Sequence, residues 1–361
     1  MIDKQTLLAV IATATVLLGW SPAQATFSIV AVDTITGEVG GAGASCIANS
    51  DIINDLIESI GAAHTQAWWN STNQTNLHNR LLAGWTPDSI IQWLNNNDAQ
   101  GLSQLRQYGI VTLAGGGASA SFTGSANTDW AGHRTGPGYA IQGNILLGPQ
   151  IVDSIEFVYL TTSGPIEERL MAALEAAKVP GADTRCLGDG KSAISAFIKV
   201  VRPGDGGTPY LYEVVSNTVG STDPIDVLRI QFDAWKALRQ ADPDSSMIAV
   251  STLILEANGG DSSEIIVTPL NNLGQPPSEG VIAVTMSHSG SGSLNPAATD
   301  NGDGTFSSVI VAPSMPGTDT LAVLVVAGGQ VTQLNSHPVL TYYQCGDTNS
   351  DTSGPDIVDL T

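Results

Sequence analysis

The chain predicts an α+β domain of sheets covered by helices, followed by an all-β sandwich and a short acidic tail. Three observations carry this. Residues 26 to about 240 run strands, helices, strands, helix; from Ser246 only short β-branched runs remain between turn residues; and the last eighteen residues are rich in Asp, Asn, Ser and Thr.

Ahead of the first domain, Lys4, an apolar core from Leu7 to Leu18 and the small residues of Ala23-Gln24-Ala25 have the make-up of a secretory signal. The segment is too short to read as a membrane anchor. Cleavage after Ala25 would leave Thr26 as the mature N-terminus, with 336 of 361 residues remaining. A soluble, exported chain with no stable membrane span is expected, in the periplasm, outside the cell or at its surface.

Thr26-Phe-Ser-Ile-Val-Ala-Val-Asp33 and Glu38-Val-Gly-Gly-Ala-Gly-Ala-Ser45 read as a β-hairpin turned at Thr34-Ile-Thr-Gly37. So much glycine in the second strand implies close approach of another backbone or of a ligand. Leu77 to Ala83 and Thr86-Pro87-Asp88 to Leu94 read as short helices, the second capped by Thr86 with Pro87 in its first turn. Tyr108 to Leu113 returns to strand character. Gly143 to Lys178 carries a helical pattern that resolves into two helices before Pro180-Gly181. Ser192 to Val201 and Tyr210 to Ser216 are strands, and Pro224 to Arg239 is an amphipathic helix. Trp68, Trp69, Trp85 and Trp93 read as packing residues rather than a sugar platform.

In the sandwich, strands are expected at Ile248 to Leu255, Glu264 to Thr268, Val281 to Met286, Ser307 to Val311 and Thr320 to Val326. Turns fall at Asn301-Gly-Asp-Gly304 and Pro313 to Gly317.

Acidic residues outnumber basic ones 34 to 13, a formal charge of −21, which opposes binding to nucleic acid or anionic lipid. Three cysteines in an exported chain leave one bridge and one remainder. Cys46 and Cys186 both fall in the first domain and are expected to pair, with Cys345 apart; three reduced thiols is the alternative. No cluster in the first domain has the spacing of a catalytic zinc site.

Several blocks carry a resemblance: Thr26-Phe-Ser-Ile-Val-Ala, Thr36-Gly-Glu-Val-Gly, His64-Thr-Gln-Ala, Arg106-Gln-Tyr-Gly, Gly132-His-Arg-Thr-Gly-Pro-Gly-Tyr-Ala-Ile-Gln-Gly-Asn144 and Pro180-Gly-Ala-Asp-Thr-Arg185. In this order they resemble domain of unknown function family 1028, grouped with the N-terminal-nucleophile (Ntn) hydrolases. The resemblance implies an αββα four-layer sandwich over 26–240 but supplies no substrate. Residues 246–338 are similar to bacterial Ig-like domains of the invasin kind, through Asp303-Gly-Thr-Phe, Ala312-Pro and Gly317-Thr. Residues 344–361 resemble a shortened dockerin-type calcium repeat.

These readings define the expected chemistry. A free α-amine has a pKa of about 8 and accepts a hydroxyl proton near neutral pH, so one residue can be nucleophile and base. Thr26 is the expected nucleophile, with Asp33 or Ser45 orienting its amine and Asn144, or a backbone N–H near Gly143, meeting the oxyanion. His64 and Gln66, and His133 and Gln142 in an expected glycine-rich loop, are candidate substrate contacts; both histidines read equally as structural. No cofactor is needed for this chemistry. In the tail, Asp347, Asn349, Asp351, Ser353 and Asp359 alternate like calcium ligands, one residue longer than a twelve-residue loop and closed by Asp rather than Glu. A complete dockerin carries a second repeat, which argues against a cohesin partner. The expected function is hydrolysis of a small-molecule or peptide amide by a secreted bacterial protein, with a homo-oligomer allowed. The alternative is a non-catalytic surface protein whose first domain is a binding scaffold.

Overall fold

A computed structural model describes residues 26–345; the expected signal segment and all five tail ligands lie outside them. The chain forms two compact units, one up to Ile230 and one from Gln231. Among the described residues no helix is long and apolar enough to cross a membrane.

The first unit opens with the expected hairpin, β1 (Thr26–Val32) and β2 (Val39–Ser45), followed by β3 (Asn54–Ile57) and β4 (Gly61–Ala67). Helices α1 (Ser71–Leu82) and α2 (Pro87–Asn96) come next, then β5 (Arg106–Thr112), a single turn α3 (Ala114–Gly117), β6 (Ser119–Thr123), β7 (Trp130–Gly136) and β8 (Tyr139–Leu146). Helices α4 (Gln150–Thr161) and α5 (Ile166–Ala176), strands β9 (Ser195–Val201) and β10 (Leu211–Val215), and α6 (Pro224–Ala237) complete it, the unit boundary falling within α6.

Local chemistry sets the helix ends. Asn70 accepts the Asn73 N–H at 3.0 Å to open α1, and Thr86 accepts the Ser89 N–H at 3.4 Å to open α2, with Pro87 following. Gly164, at φ +109°, and Pro165 separate α4 from α5. The expected helical stretch therefore starts later than its pattern suggested, because Gly143 to Leu146 completes β8.

Two sheets result, a six-stranded one in the order β10-β9-β2-β1-β8-β7 and a four-stranded one in the order β3-β4-β5-β6. They pack face to face; α4 and α5 cover the first, α1 and α2 the second. Leu77, Leu81, Ile90 and Leu94 of α1 and α2 bury against Ala63, Tyr108 and Ile110. The glycines of β2 explain how the layers approach. A Cβ on Gly40 would meet Leu170 Cδ1 of α5 at 2.5 Å, and one on Gly41 would meet His64 Nε2 of the facing sheet at 2.7 Å. Side chains from both flanking layers, rather than a backbone or ligand, fill the room that glycine leaves.

Alternation along β1 turns Thr26, Ser28, Val30 and Val32 into the layer between the sheets, whose character changes along the strand. At the end nearest the β1–β2 turn it is apolar, built from Val30, Val32, Val39, Ala62, Val111, Ala140 and Val201. At the other end, where β1 begins, it is polar.

The second unit holds β11 (Met247–Val250), β12 (Ile254–Glu256), β13 (Ser262–Thr268), β14 (Val281–His288), β15 (Ser293–Leu294), β16 (Thr299–Asp300), β17 (Phe306–Val311), β18 (Gly317–Ala327), β19 (Gln330–Gln333) and β20 (Val339–Tyr343). One sheet runs β11-β13-β17-β15, with β16 on β17; the other runs β12-β20-β18-β14, with β19 on β18. Alternate residues such as Leu321, Val323 and Val325 of β18 and Ile265 and Val267 of β13 fill the core. The expected single strand Ile248 to Leu255 is two strands in different sheets. The Ser263 hydroxyl accepts the Thr252 N–H at 3.0 Å and donates to the Thr252 carbonyl at 2.8 Å, holding the crossing residues.

Candidate functional site

Thr26 begins β1 at the polar end of the layer between the sheets. Its Cα partner on β8 is Asn144, and on the other side Phe27 pairs with Ala44, which brings Ser45 beside Thr26. Thr26, Ser28, Ser45, Gln66, Gln107, Gln142 and Asn144 are all at most 1% exposed, so every polar atom here needs a protein partner or a bound one.

Most partners are internal. The Thr26 hydroxyl donates to Ser45 Oγ at 3.4 Å, and Gln66 Nε2 donates to the Thr26 carbonyl at 3.2 Å and to Gln107 Oε1 at 2.8 Å. Asn144 Nδ2 donates to the same Gln107 oxygen at 3.0 Å. Gln107 Nε2 in turn donates to the carbonyls of Gly143 at 2.8 Å and Gly132 at 3.2 Å, and to Thr123 Oγ1 at 2.9 Å. Ser28 donates to Gln66 Oε1 and accepts from Gln142 Nε2, each at 2.7 Å. The side chains facing Thr26 are thus neutral amides and hydroxyls.

Backbone strain marks the same place. Ile145, directly after Asn144, sits at φ +53°, and Ala67, directly after Gln66, at φ +70°. A β-branched residue in the left-handed region is a true outlier, and such strain costs on the order of 1–3 kcal/mol and gathers where function fixes geometry.

The rim is tied down covalently. Cys46, the residue after Ser45, is disulfide-bonded to Cys186, their Cα atoms 6.0 Å apart. Cys46 N–H donates to Asp183 Oδ2 at 2.7 Å, and that buried carboxylate also pairs with Arg185 at 2.8 Å. Thr184 Oγ1 donates to the Ile145 carbonyl at 3.2 Å, and Asp183 bridges to Leu146. The turn 183–186 therefore holds the ends of both strands that flank β1.

Of the residues expected from sequence, Thr26, Ser45, Asn144, Gln66 and Gln142 come together here. Asp33 does not. It lies past the far end of β1, about 20 Å from Thr26 at the usual strand rise, where its carboxylate accepts the N–H groups of Ile35 at 2.8 Å and Thr36 at 3.1 Å and shapes the turn. His64 lies in the same layer but faces Gly41, bonds Asn54 Oδ1 at 3.1 Å and meets Phe197 edge-on at 5.4 Å. Burial pushes its pKa down to about 3, so it is neutral. His133 is not in a loop. Gly132 to Asn144 forms the β7–β8 hairpin, closed at Pro137-Gly138, and His133 pairs with Gln142 and bonds Thr123 Oγ1 at 2.9 Å. Burial, then Arg134, lowers its pKa.

Sequence reasoning missed Gln107 and Ser28. Ser28 lies on the alternation of β1, two residues after Thr26, whereas Gln107 lies just ahead of the expected strand, which begins at Tyr108, because β5 starts at Arg106. Among the described residues no group of three His, Cys, Asp or Glu could hold a metal ion.

Comparison with known proteins places both units. Residues 26–228 match the model of a family of unknown function, DUF1028, and residues 242–342 match invasin, domain 3. No curated protein matches the chain. A crystal structure of a Silicibacter pomeroyi protein of the same family is similar at 24% identity, covering 58% of this chain and 88% of that one, with a TM-score of 0.49. The Yersinia pseudotuberculosis adhesin InvE is similar at 23% identity over 27% of each chain, and invasin, a bacterial integrin-binding protein, at 18% over 40% of this chain and 25% of its own, each with a TM-score of 0.22. The chain thus spans about a quarter of either adhesin's length. With more than half of its residues inside the family model, the chain belongs to the DUF1028 family of unknown function and carries an Ig-like invasin domain 3 behind that domain.

Proposed function

We propose that the protein is an exported N-terminal-nucleophile hydrolase of amide or peptide bonds, with Thr26 as nucleophile. The observation that carries the reading is the position of the Thr26 hydroxyl, 3.4 Å from Ser45 Oγ at the start of the strand that opens the polar, uncharged end of the layer between two sheets. The succession of helix pair, sheet, sheet and helix pair supports the αββα expectation.

In this reading, cleavage after Ala25 frees the Thr26 α-amine. Neutral, buried surroundings disfavour its charged form and keep it a base at neutral pH. The amine takes the hydroxyl proton as Oγ1 attacks the substrate carbonyl, forming a C–O bond and a tetrahedral oxyanion. A donor at the Gly143–Asn144 step meets the oxyanion. Collapse breaks the C–N bond, and the departing amine takes the proton back from the α-ammonium. Water, deprotonated by the same α-amine, then attacks the Thr26 ester and releases the acid, restoring the hydroxyl. Ser45 orients the nucleophile. The disulfide suits an oxidising compartment, and the invasin domain 3 match supports a place outside the cytoplasm. Asp347, Asn349, Asp351, Ser353 and Asp359 enter as a calcium-binding appendage.

A second reading, favoured by the invasin domain 3 match, is a surface attachment protein in which the first unit only binds. N-terminal sequencing and intact mass of the exported protein, followed by a β-lactone or epoxyketone probe, separate the two. The hydrolase reading expects a Thr26 start and a covalent adduct on that residue, lost in Thr26→Ala. A different start, or labelling that survives Thr26→Ala, sinks it.

A further inference from the structure

The amide orientations around Thr26 are fixed by the backbone rather than chosen freely. Gln107 places one side-chain atom 2.8 Å from the Gly143 carbonyl and 3.2 Å from that of Gly132. Carbonyls only accept, so that atom is nitrogen and the other is oxygen. The Gln107 oxygen then requires donors, which fixes the atom of Asn144 at 3.0 Å as Nδ2 and the atom of Gln66 at 2.8 Å as Nε2. Gln66 is fixed independently, because its Nε2 also donates to the Thr26 carbonyl.

Asn144 Oδ1 is therefore turned away from Gln107, and it has no hydrogen-bond partner although Asn144 is fully buried. A buried acceptor left unmade is costly, so a donor is expected to reach it. Gln142 Oε1 is also without a partner, but it lies against the Gly109 Cα, where a Cβ would meet it at 1.7 Å. The Asn144 oxygen is different in its neighbour. Asn144 is the cross-strand partner of Thr26, and such side chains stand about 5 Å apart on the same sheet face.

The geometry points to Asn144 as the positioning residue of the Thr26 amine: Oδ1 accepts an N–H of the α-amine set free at Thr26, while Nδ2 stays on Gln107. This inference rests on the hydrolase reading for its use but not for its test. Cleavage of the Ala25–Thr26 bond turns an amide nitrogen with one hydrogen into an amine with several, so maturation itself creates the donor that Oδ1 lacks. The amine is then held with its lone pair directed toward Oγ1. The groups facing Thr26 from β2, β4, β5 and β8 are Ser45, Gln66, Gln107 and Asn144, none of them titratable in the working range; the Asp183–Arg185 pair adjoins the ends of β2 and β8 through Cys46 and Leu146.

The test uses the mature full chain as wild type, Asn144→Asp and Asn144→Leu. The pKa of the Thr26 α-amine is read from the pH dependence of its reductive methylation, by mass spectrometry of the N-terminal peptide. An acceptor stabilises the ammonium, so the expected order is Asp above wild type above Leu, with Asp higher by about one unit. β-Lactone labelling of Thr26 follows the same order in its pH profile, and Asn144→Leu slows it about tenfold or more at pH 7. Coincident amine pKa values in all three proteins overturn the inference, as does lost labelling in Asn144→Asp with an unmoved amine pKa, which assigns Asn144 to the oxyanion instead. A shifted amine pKa with no labelling even in the wild type supports the Asn144 contact and sinks the hydrolase reading alone.

Discussion

Gln107 Oε1 accepts from Asn144 Nδ2 at 3.0 Å, and this contact joins the strand facing Thr26 to the opposite sheet. Gln107 spends its nitrogen on two backbone carbonyls and Thr123 Oγ1 and its oxygen on two amide donors, so one side chain fixes five neighbours.

Gln107→Leu strands the Gly143 and Gly132 carbonyls and the Gln66 and Asn144 amides in a buried space. With each unpaired group costing about 1–3 kcal/mol, a loss of about 3 kcal/mol or more is expected in urea unfolding at pH 7. Gln107→Glu keeps an acceptor but buries a carboxylate. Burial raises its folded-state pKa above the unfolded value, so this variant is expected to be more stable at pH 5 than at pH 7 relative to wild type. Two variants that unfold with the wild type would show that the network does not hold the layer together.

His64 makes a second, opposite pH dependence. Its pKa falls from 6.5 to about 3 on folding because it is buried without a charged partner, bonded only to Asn54. The unfolded chain therefore binds a proton that the folded chain refuses between these values, and stability present above about pH 6.5 is lost as pH falls toward 3, by about 1.4 kcal/mol per unit. Carboxylates titrate in the same range, so the difference between wild type and His64→Gln isolates the histidine. Parallel stability curves for the two proteins from pH 7 to pH 4 would exclude this account.

Much of this architecture was legible because local rules agreed with the fold. Thr86-Pro87 announced α2, and alternation along β1 with the turn at Thr34-Ile-Thr-Gly37 announced the hairpin. The candidate site was legible through the expected cleavage position, which puts Thr26 first, and through Ser45, Gln66, Gln142 and Asn144, polar residues in strands rich in small or apolar ones. Register was not legible. Asp33 was paired with Thr26 by closeness in sequence, but seven residues of extended chain carry it to the other end of the sheet. The glycines of Gly132 to Asn144 suggested a loop, yet Gly132 and Gly143 pair within the β7–β8 ladder and only Pro137-Gly138 turns. Gln107 stayed hidden because its partners belong to four other strands, β4, β6, β7 and β8, and no local pattern announces such contacts.

The bridge between Cys46 and Cys186 joins positions 140 apart in sequence, and loops of this length give a cross-link a stabilising effect of about 2–5 kcal/mol. The effect is also directional. Cys46 follows Ser45, and the turn that carries Cys186 holds the Ile145 carbonyl through Thr184, so the bridge grips the polar end of the layer and leaves the Val30–Val39 end untouched. Cys46→Ser with Cys186→Ser should therefore lower stability by that amount and raise amide hydrogen exchange at Ser45 and Leu146 far more than at Val30 and Val32. A thiol count offers a check that needs no variant. The unreduced protein should take one thiol label, at exposed Cys345, and the reduced, unfolded chain three. Three labels without reductant would exclude the bridge; uniform loosening of the whole layer in the double variant would leave its stabilising effect intact but show that it does not act specifically on the strand ends around Thr26.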